Sequence, residues 1–97
     1  MKTLGEIRND LKEIRYYYSR KTMFDDASKL VGVNIVVKKA INYNEVCAKA
    51  TPLLHDLYIG LYVKGYTQEA LALELNYSTK YIQILNKRLL LFIQKKI

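Results

Sequence analysis

The residues from Ser78 to Arg88 carry side chains that can hydrogen-bond to nucleic-acid bases and phosphates. Gln83 can pair through its amide with adenine, and Lys80 can reach the acceptor atoms of guanine. Ser78 and Thr79 suit phosphate or base contacts at a helix N-terminus, where free backbone N–H groups attract an anion. These residue types and their spacing indicate a surface that reads double-stranded DNA.

Other side chains extend this predicted surface. Ile84 can touch a thymine methyl group, while Lys87 and Arg88 can reach phosphates, which adds affinity but no sequence information. Thr67 and Gln68, at the start of the preceding helix, are assigned to the same surface. The full set of predicted DNA-binding residues is Thr67, Gln68, Ser78, Thr79, Lys80, Gln83, Ile84, Lys87 and Arg88.

The segment Gln68–Lys87 has the pattern of two short helices that cross through a tight turn. Ala72 supplies the small residue needed at the closest approach, and Asn76 occupies the turn, which requires a residue that tolerates a positive φ. Gly is most common there, and Asn is the next-best residue. The positions predicted to be apolar and buried are Leu71, Leu75, Tyr77, Ile82 and Leu85. The segment therefore predicts a helix-turn-helix whose second helix begins at Ser78 and lies in the major groove.

The charge distribution supports a polyanionic partner. The chain has a net charge of +7, which favours nucleic acid or an acidic membrane surface. Residues 75–97 contain five basic residues (Lys80, Lys87, Arg88, Lys95 and Lys96) and no acidic one. A solvated, lysine-rich helix end would also account for this charge, since cations are favourable near a helix C-terminus. The overlap with the predicted motif favours DNA.

Other classes of protein and site are not indicated. No apolar run approaches the roughly 18–20 residues that span a bilayer, and the N-terminus is charged where a signal peptide would be apolar. We therefore expect a cytoplasmic protein without a membrane partner. No Gly-rich phosphate loop, nucleophile–base pair or metal-spaced acid group occurs, so we expect neither enzymatic activity nor a cofactor.

Cys47 and His55 are the only cysteine and the only histidine. A disulfide within the chain is impossible, and a zinc site would lack ligands. Cys47 lies in an apolar stretch and is predicted to be a small buried hydrophobic residue. His55 is predicted to lie at a helix surface or half-buried.

Hydrophobic periodicity and capping residues predict six helices. The third segment is predicted to be a helix rather than a strand because its polar residues recur at steps of three and four, and no second strand is available for pairing. The predicted helices run from Leu4 to about Lys21, from a Thr22/Asp25 capping pair to Gly32, from about Asn34 to Ala50, from Pro52 to about Lys64 before Gly65, from Gln68 to Glu74, and from Thr79 to about Gln94, with Thr51, Thr67 and Ser78 as the last three N-caps. The predicted fold is a compact all-α bundle and a single domain over 1–97, with a helical N-terminal part (1–51) and a motif-bearing part (52–97).

The stretch LYIGLYVKGYTQEALALELNYSTKYIQILNKRLL, Leu57–Leu90, resembles region 4 of sigma factors and its small relatives. The matching positions are Tyr62, Gly65, Tyr66, Thr67, Leu71, Ala72, Leu75, Tyr77, Ser78, Tyr81 and Ile82. Ala70 departs from the acidic residue common at its position. Small proteins of this kind resemble phage late-gene transcription activators of the ArpU and RinA type. The resemblance covers about a third of the chain and implies a transcription regulator from a phage or prophage of a Gram-positive host.

Two apolar features indicate a protein partner besides DNA. The residues from Leu89 to Ile93 are apolar on all sides of one helix, and Leu4 to Tyr18 forms a heptad-like seam. Either could form a homodimer interface, or the two helices pack on each other within one monomer. The alternative function is a helical interaction protein that docks on RNA polymerase, a sigma factor or another protein without reading DNA. A phage packaging or replication accessory protein would share the motif.

Overall fold

The computed structural model describes residues 1–21 and 31–97, and the secondary structure in these ranges is entirely helical. These two ranges contain five α-helices: α1 (Leu4–Ser19), α2 (Val31–Cys47), α3 (Pro52–Tyr58), α4 (Gln68–Leu75) and α5 (Thr79–Lys96). A π-helical turn, Ile59–Val63, continues α3. The predicted all-α class is confirmed. The predicted helix that begins at the Thr22/Asp25 capping pair lies outside the described residues.

Side-chain caps fix where the helices begin. The Thr3 hydroxyl accepts the Glu6 N–H (3.1 Å), and the Glu6 carboxylate accepts the Thr3 N–H (3.0 Å), so a capping box precedes α1. Sequence analysis missed this pair, although its spacing is visible in the sequence. Thr51 caps α3 and Pro52 is its first residue, as predicted.

Some predicted boundaries are wrong by a few residues. α1 ends at Ser19 rather than near Lys21, and α2 covers Val31–Cys47 rather than Asn34–Ala50. Gly32, predicted to end a helix, lies inside α2, where a glycine costs only about 1 kcal/mol relative to alanine. The polar residues predicted to face solvent on this helix are exposed where they are described, at Lys38, Asn42 and Glu45 within α2 and at Lys49 just after it.

The end of the fourth predicted helix differs from the regular α-helix expected. The Lys64 N–H bonds to the Ile59 carbonyl (2.8 Å), five residues earlier, which widens the last turn. Gly65 then adopts a φ of 78° and ends the helix, as predicted. In the wider turn, Gly60 lies so close to α4 that a Cβ atom there would stand 2.7 Å from the Leu71 Cδ1 atom. The turn therefore fits α4 closely against α3.

A single apolar core joins both halves of the described chain. α1 packs against α2, α5 and the π turn, and α5 packs against α3 and α4. The buried apolar residues are Ile7, Leu11, Ile14, Tyr17, Ala40, Tyr43, Cys47, Leu57, Tyr58, Leu61, Leu71, Ala72, Ile82, Leu85, Leu89, Leu90 and Ile93. The radius of gyration, 13.6 Å, is close to the ~13 Å expected for a compact chain of this size.

Most residues of the two candidate dimer seams are buried in this core. The α1 seam residues Ile7, Leu11 and Ile14 are buried, and so are Leu89 and Ile93 of α5. Because α1 and α5 pack on each other, the alternative of packing within the monomer is confirmed, and these buried residues are not free to form a dimer interface.

Candidate nucleic-acid interface

The junction between α4 and α5 has the backbone geometry that its sequence predicts. Asn76 has φ 60° and ψ 38°, which is the left-handed conformation. Directly after it, the Tyr77 N–H bonds back to the Ala72 carbonyl oxygen at 2.9 Å. Leu71 and Ala72 of α4 are buried, as are Ile82 and Leu85 of α5, and the two helices pack against each other. The turn and these four buried positions are thus confirmed.

Two of the predicted apolar positions are less buried than expected. Leu75 is half-buried, and Tyr77 keeps 40% of its surface exposed, so its predicted burial is wrong. The Tyr77 ring packs edge-on against Tyr81, with ring centroids 5.0 Å apart. Tyr77 follows the left-handed residue, where the chain has already left the α4 helix, and it lies at the rim of the junction.

Thr67 and Ser78 stand at the N-caps predicted for them. The Ser78 hydroxyl accepts the Tyr81 N–H at 3.1 Å, and the Thr67 hydroxyl accepts the Ala70 N–H at 3.0 Å. Each hydroxyl retains its own hydrogen, which it can donate to a phosphate oxygen. The first backbone N–H groups of α5, at Thr79 and Lys80, have no acceptor within the helix and point outward at its positive end.

The predicted reading residues on α5 lie away from the core. Lys80, Gln83, Ile84, Lys87 and Arg88 are exposed, and Thr79 is half-buried. At about 100° per residue, Arg88 lies about 140° around the helix from Gln83. The exposed face is therefore broad, with Gln83 on one side and Arg88 on the other.

One surface depression brings together four of the predicted residues with two that sequence analysis missed. Thr67, Gln68, Thr79 and Gln83 line it together with Arg15 and Glu69. The Arg15 Nη2 atom also donates a hydrogen bond to the Gly65 carbonyl oxygen at 2.9 Å, which ties α1 to the loop before α4.

The sequence does contain a signal for Arg15. Arg8, Lys12 and Arg15 recur at helical spacing on the predicted first helix, so they share one face. Their proximity to the motif depends on tertiary packing, which the sequence pattern alone does not reveal. Glu69 had no comparable signal, since acids are common in the first turn of a helix.

A half-buried tyrosine links α5 to the π turn. The Tyr62 hydroxyl donates to the Asn86 side-chain oxygen at 2.6 Å. Burial raises the pKa of Tyr62, and the Asn86 contact and the positive charges of Arg15 and Arg8 only partly offset that rise. The hydroxyl therefore stays protonated at neutral pH and remains a donor.

Cys47 and His55 do not line this depression. Cys47 is fully buried, as predicted, and burial raises the pKa of its thiol to about 12. His55 is half-buried, as predicted, with Nδ1 4.0 Å from an Asp56 carboxylate oxygen. Within 1–21 and 31–97, no group of three or more histidine, cysteine or acidic residues is placed to hold a metal ion. None of the described helices is both long and apolar enough to cross a bilayer.

Comparison with known proteins gives no assignment. No protein-family model, no curated protein and no solved structure matches the chain. The residues of the α4–α5 surface and the resemblance carried by Leu57–Leu90 are therefore the grounds for a functional proposal.

Proposed function

We propose that this protein is a sequence-specific DNA-binding transcription regulator, and that α4 and α5 form its helix-turn-helix. The observation that carries the proposal is the outward face of α5. Lys80, Gln83, Ile84 and Lys87 are exposed there, on a helix whose opposite face is buried and whose sequence contains no acid. A face of this composition suits a negatively charged groove lined with hydrogen-bonding base edges.

The dimensions of α5 also fit this role. Its 18 residues extend about 27 Å at 1.5 Å per residue, and the major groove, about 12 Å wide, admits one α-helix. Insertion of the N-terminal half brings Lys80 and Gln83 to base edges and Ile84 to a thymine methyl group. Ser78, Thr67 and Gln68 then bind the phosphates of one strand. Lys87 and Arg88 approach the backbone farther along the groove.

The role in transcription is supported by the resemblance of Leu57–Leu90 to sigma factor region 4. Gly65, Asn76 and the caps Thr67 and Ser78 adopt the conformations that such a motif needs. The similarity to small late-gene activators suggests a phage or prophage origin.

The test is selection of bound duplexes from a random DNA pool by the wild-type chain and by a Lys80→Ala/Gln83→Ala variant. We expect the wild type to enrich one motif and the variant to lose that preference while keeping most of its non-specific binding. Each lost base contact should cost about 1–3 kcal/mol of discrimination. A palindromic product would indicate two-fold binding. Identical enrichment by both proteins would refute the assignment of α5 as the reading helix.

A second candidate function is docking on RNA polymerase, a sigma factor or another helical protein without reading DNA. The observation in its favour is a set of exposed apolar side chains on α4, α5 and their junction, namely Leu73 (82% exposed), Tyr77, Ile84 and Leu91. A gel shift on random duplex DNA across a salt series separates the two candidates. Absence of binding at low salt, despite the charge of +7, would favour docking.

A further inference from the structure

We infer that α1 provides a second DNA-contacting strip, in which Arg8, Lys12 and Arg15 bind the phosphate backbone beside the groove that α5 enters. The inference rests on the proposed function and deepens it. It gives the N-terminal half of the chain a direct part in DNA binding, where the sequence had suggested a dimer or partner surface.

The three cations form one continuous row on the outer side of α1. At about 100° per residue, Arg8, Lys12 and Arg15 lie within about 60° of one another around the helix. All three are exposed, while Ile7 and Leu11 point into the core. The buried Ile7 and Ile14 lie about 100–120° around the helix from Arg8, so the row is held on a flank of the buried face.

This row runs alongside α5. At one end, the Gln94 side-chain amide donates to the Lys2 carbonyl oxygen at 3.1 Å, so the end of α5 meets the start of α1. At the other end, Arg15 lines the same depression as Thr79 and Gln83, at the beginning of α5. The two helices are thus antiparallel, and the Arg15 end of the row borders the Gln83 side of the reading face.

The positive charges of the row are not neutralised within the described protein. No residue in 1–21 or 31–97 forms an ion pair with Arg8, Lys12 or Arg15. The exposed acid next to the row, Glu13, pairs with Lys39 at 2.7 Å on the flank where α2 packs. Three unpaired cations in a row repel one another, and a row of phosphates relieves that repulsion.

The spacing of the two helices fits the spacing of groove and backbone. Packed helices have axes about 8–10 Å apart, and the major groove is about 12 Å wide. When α5 lies in the groove, cations on the neighbouring helix therefore stand over the strand that borders it. Long arginine and lysine side chains cover the remaining distance.

The first test measures how DNA affinity depends on salt, using random-sequence duplex. If both residues bind phosphate, Arg8→Ala/Lys12→Ala should reduce the magnitude of the negative slope of log K against log salt by about 1.8, which is about 0.9 for each contact. Adding Arg15→Ala should lower it further. The matched control is Lys38→Ala/Lys49→Ala, which removes the same charge from an exposed position of α2 and from the exposed turn after it. Thermal unfolding monitored by circular dichroism verifies that each variant is folded.

The second test maps position directly, with an iron chelate that cleaves nearby DNA from a Lys12→Cys variant. Cys47 is fully buried, so labelling is confined to the new thiol. We expect cleavage of the strand next to the wild-type footprint, and none from a matched Lys38→Cys variant. If the wild type binds DNA but the slope is unchanged and Lys12→Cys does not cleave, the α1 strip is refuted while the proposed function stands. If the wild type fails to bind duplex DNA even at low salt, both are refuted.

Discussion

Among the described residues, Asp10 is a buried charged residue that links α1 to α2. Its side chain is only 8% exposed and accepts hydrogen bonds from Lys2 and from the Tyr43 hydroxyl (2.6 Å), and Lys39 Nζ lies 3.0 Å from its other oxygen. Burial of a carboxylate is costly unless such partners are present. Two of these three partners, Tyr43 and Lys39, lie on α2, so Asp10 orients α2 more specifically than apolar packing does.

Replacing Asp10 by Asn should destabilise the fold. The change leaves Lys39 and Tyr43 facing a neutral amide, and losing charge-assisted hydrogen bonds should cost about 2–3 kcal/mol of unfolding free energy. Urea denaturation measures the cost. The matched control is Glu13→Gln, which removes a half-exposed carboxylate paired with the same lysine and should cost less than about 1 kcal/mol. Equal losses of unfolding free energy in the two variants would show that the buried Asp10 contributes no more to stability than the exposed Glu13.

The same residue predicts how stability depends on pH. Burial alone would raise the pKa of Asp10, but hydrogen bonds from Lys2, Tyr43 and Lys39 outweigh it and lower the pKa below 3.8. Because the pKa is lower in the folded state, the ionised carboxylate stabilises the protein at pH values above the unfolded-state pKa. This stabilisation is lost as the pH falls through the folded-state pKa. We therefore expect wild-type stability to fall below about pH 4. Asp10→Asn should lack this component, and parallel pH profiles for the two proteins would contradict the assignment.

At the scale of elements, the left-handed turn between α4 and α5 depends on Asn76. Its φ of 60° is accessible to Gly, tolerable for Asn and unfavourable for a residue such as Ala. Asn76→Ala should therefore cost about 1 kcal/mol, whereas Asn76→Gly should change stability by a few tenths of that. Thermal unfolding of the two variants gives the comparison. If alanine is tolerated as well as glycine, the turn does not require the left-handed conformation.

The close approach of the π turn to α4 gives a second prediction at this scale. In Gly60→Ala the added methyl group would meet the buried Leu71 side chain, so we expect a cost of about 1–3 kcal/mol from overpacking. Leu71→Ala alone should cost about 2–5 kcal/mol because it leaves a cavity.

The double variant identifies the cause of that cost. If the Gly60 cost arises from contact with Leu71, Gly60→Ala/Leu71→Ala should be more stable than the sum of the single effects predicts, by about 1 kcal/mol. Strict additivity would place the strain elsewhere, for instance in the backbone of the π turn.

The elements themselves were largely predictable because local signals specify them. Thr51-Pro52, Gly65 and the Thr67 and Ser78 caps act through neighbouring backbone groups, and each lies where the sequence places it. The π turn was not predictable, because its wider hydrogen-bond spacing leaves the apolar periodicity of Leu57 and Leu61 unchanged. The close packing of Gly60 on Leu71 in this turn is a contact between different helices, which local sequence signals do not specify.

At the scale of the whole molecule, the N-terminal half is integral to the candidate interface. The Arg15 side chain reaches the loop at Gly65, fifty positions along the chain, and α1 lies antiparallel to α5. The residues of the motif could be named from their spacing because they are close in sequence. Arg15 could not, since only the packing of α1 on α5 brings it there. The boundary at residue 51 suggested by the sequence thus separates two stretches of chain that share one core and one surface.

The acidic residue in the candidate interface allows the charge argument to be tested in the opposite direction. Glu69 lines the depression with Arg15, Thr67 and Thr79, so it repels any phosphate bound there. Removing it with Glu69→Gln should tighten binding to random duplex DNA at low salt by about 0.5–1 kcal/mol, or ~2- to 5-fold. The gain should shrink as salt shortens the range of the interaction, with a Debye length of about 10 Å at 0.1 M.

The matched control for this prediction lies on the same helix. Glu74→Gln removes one negative charge from α4 at an exposed position about 140° around the helix, where Glu74 lines a different depression with Asp56 and Lys64. Net charge changes equally in the two variants, so net charge alone would raise affinity equally. A larger gain for Glu69→Gln would locate bound phosphate near Arg15 and Thr79. Equal gains in affinity would mean that DNA binding depends on the total charge of the protein, and would contradict the assignment of the depression to the interface.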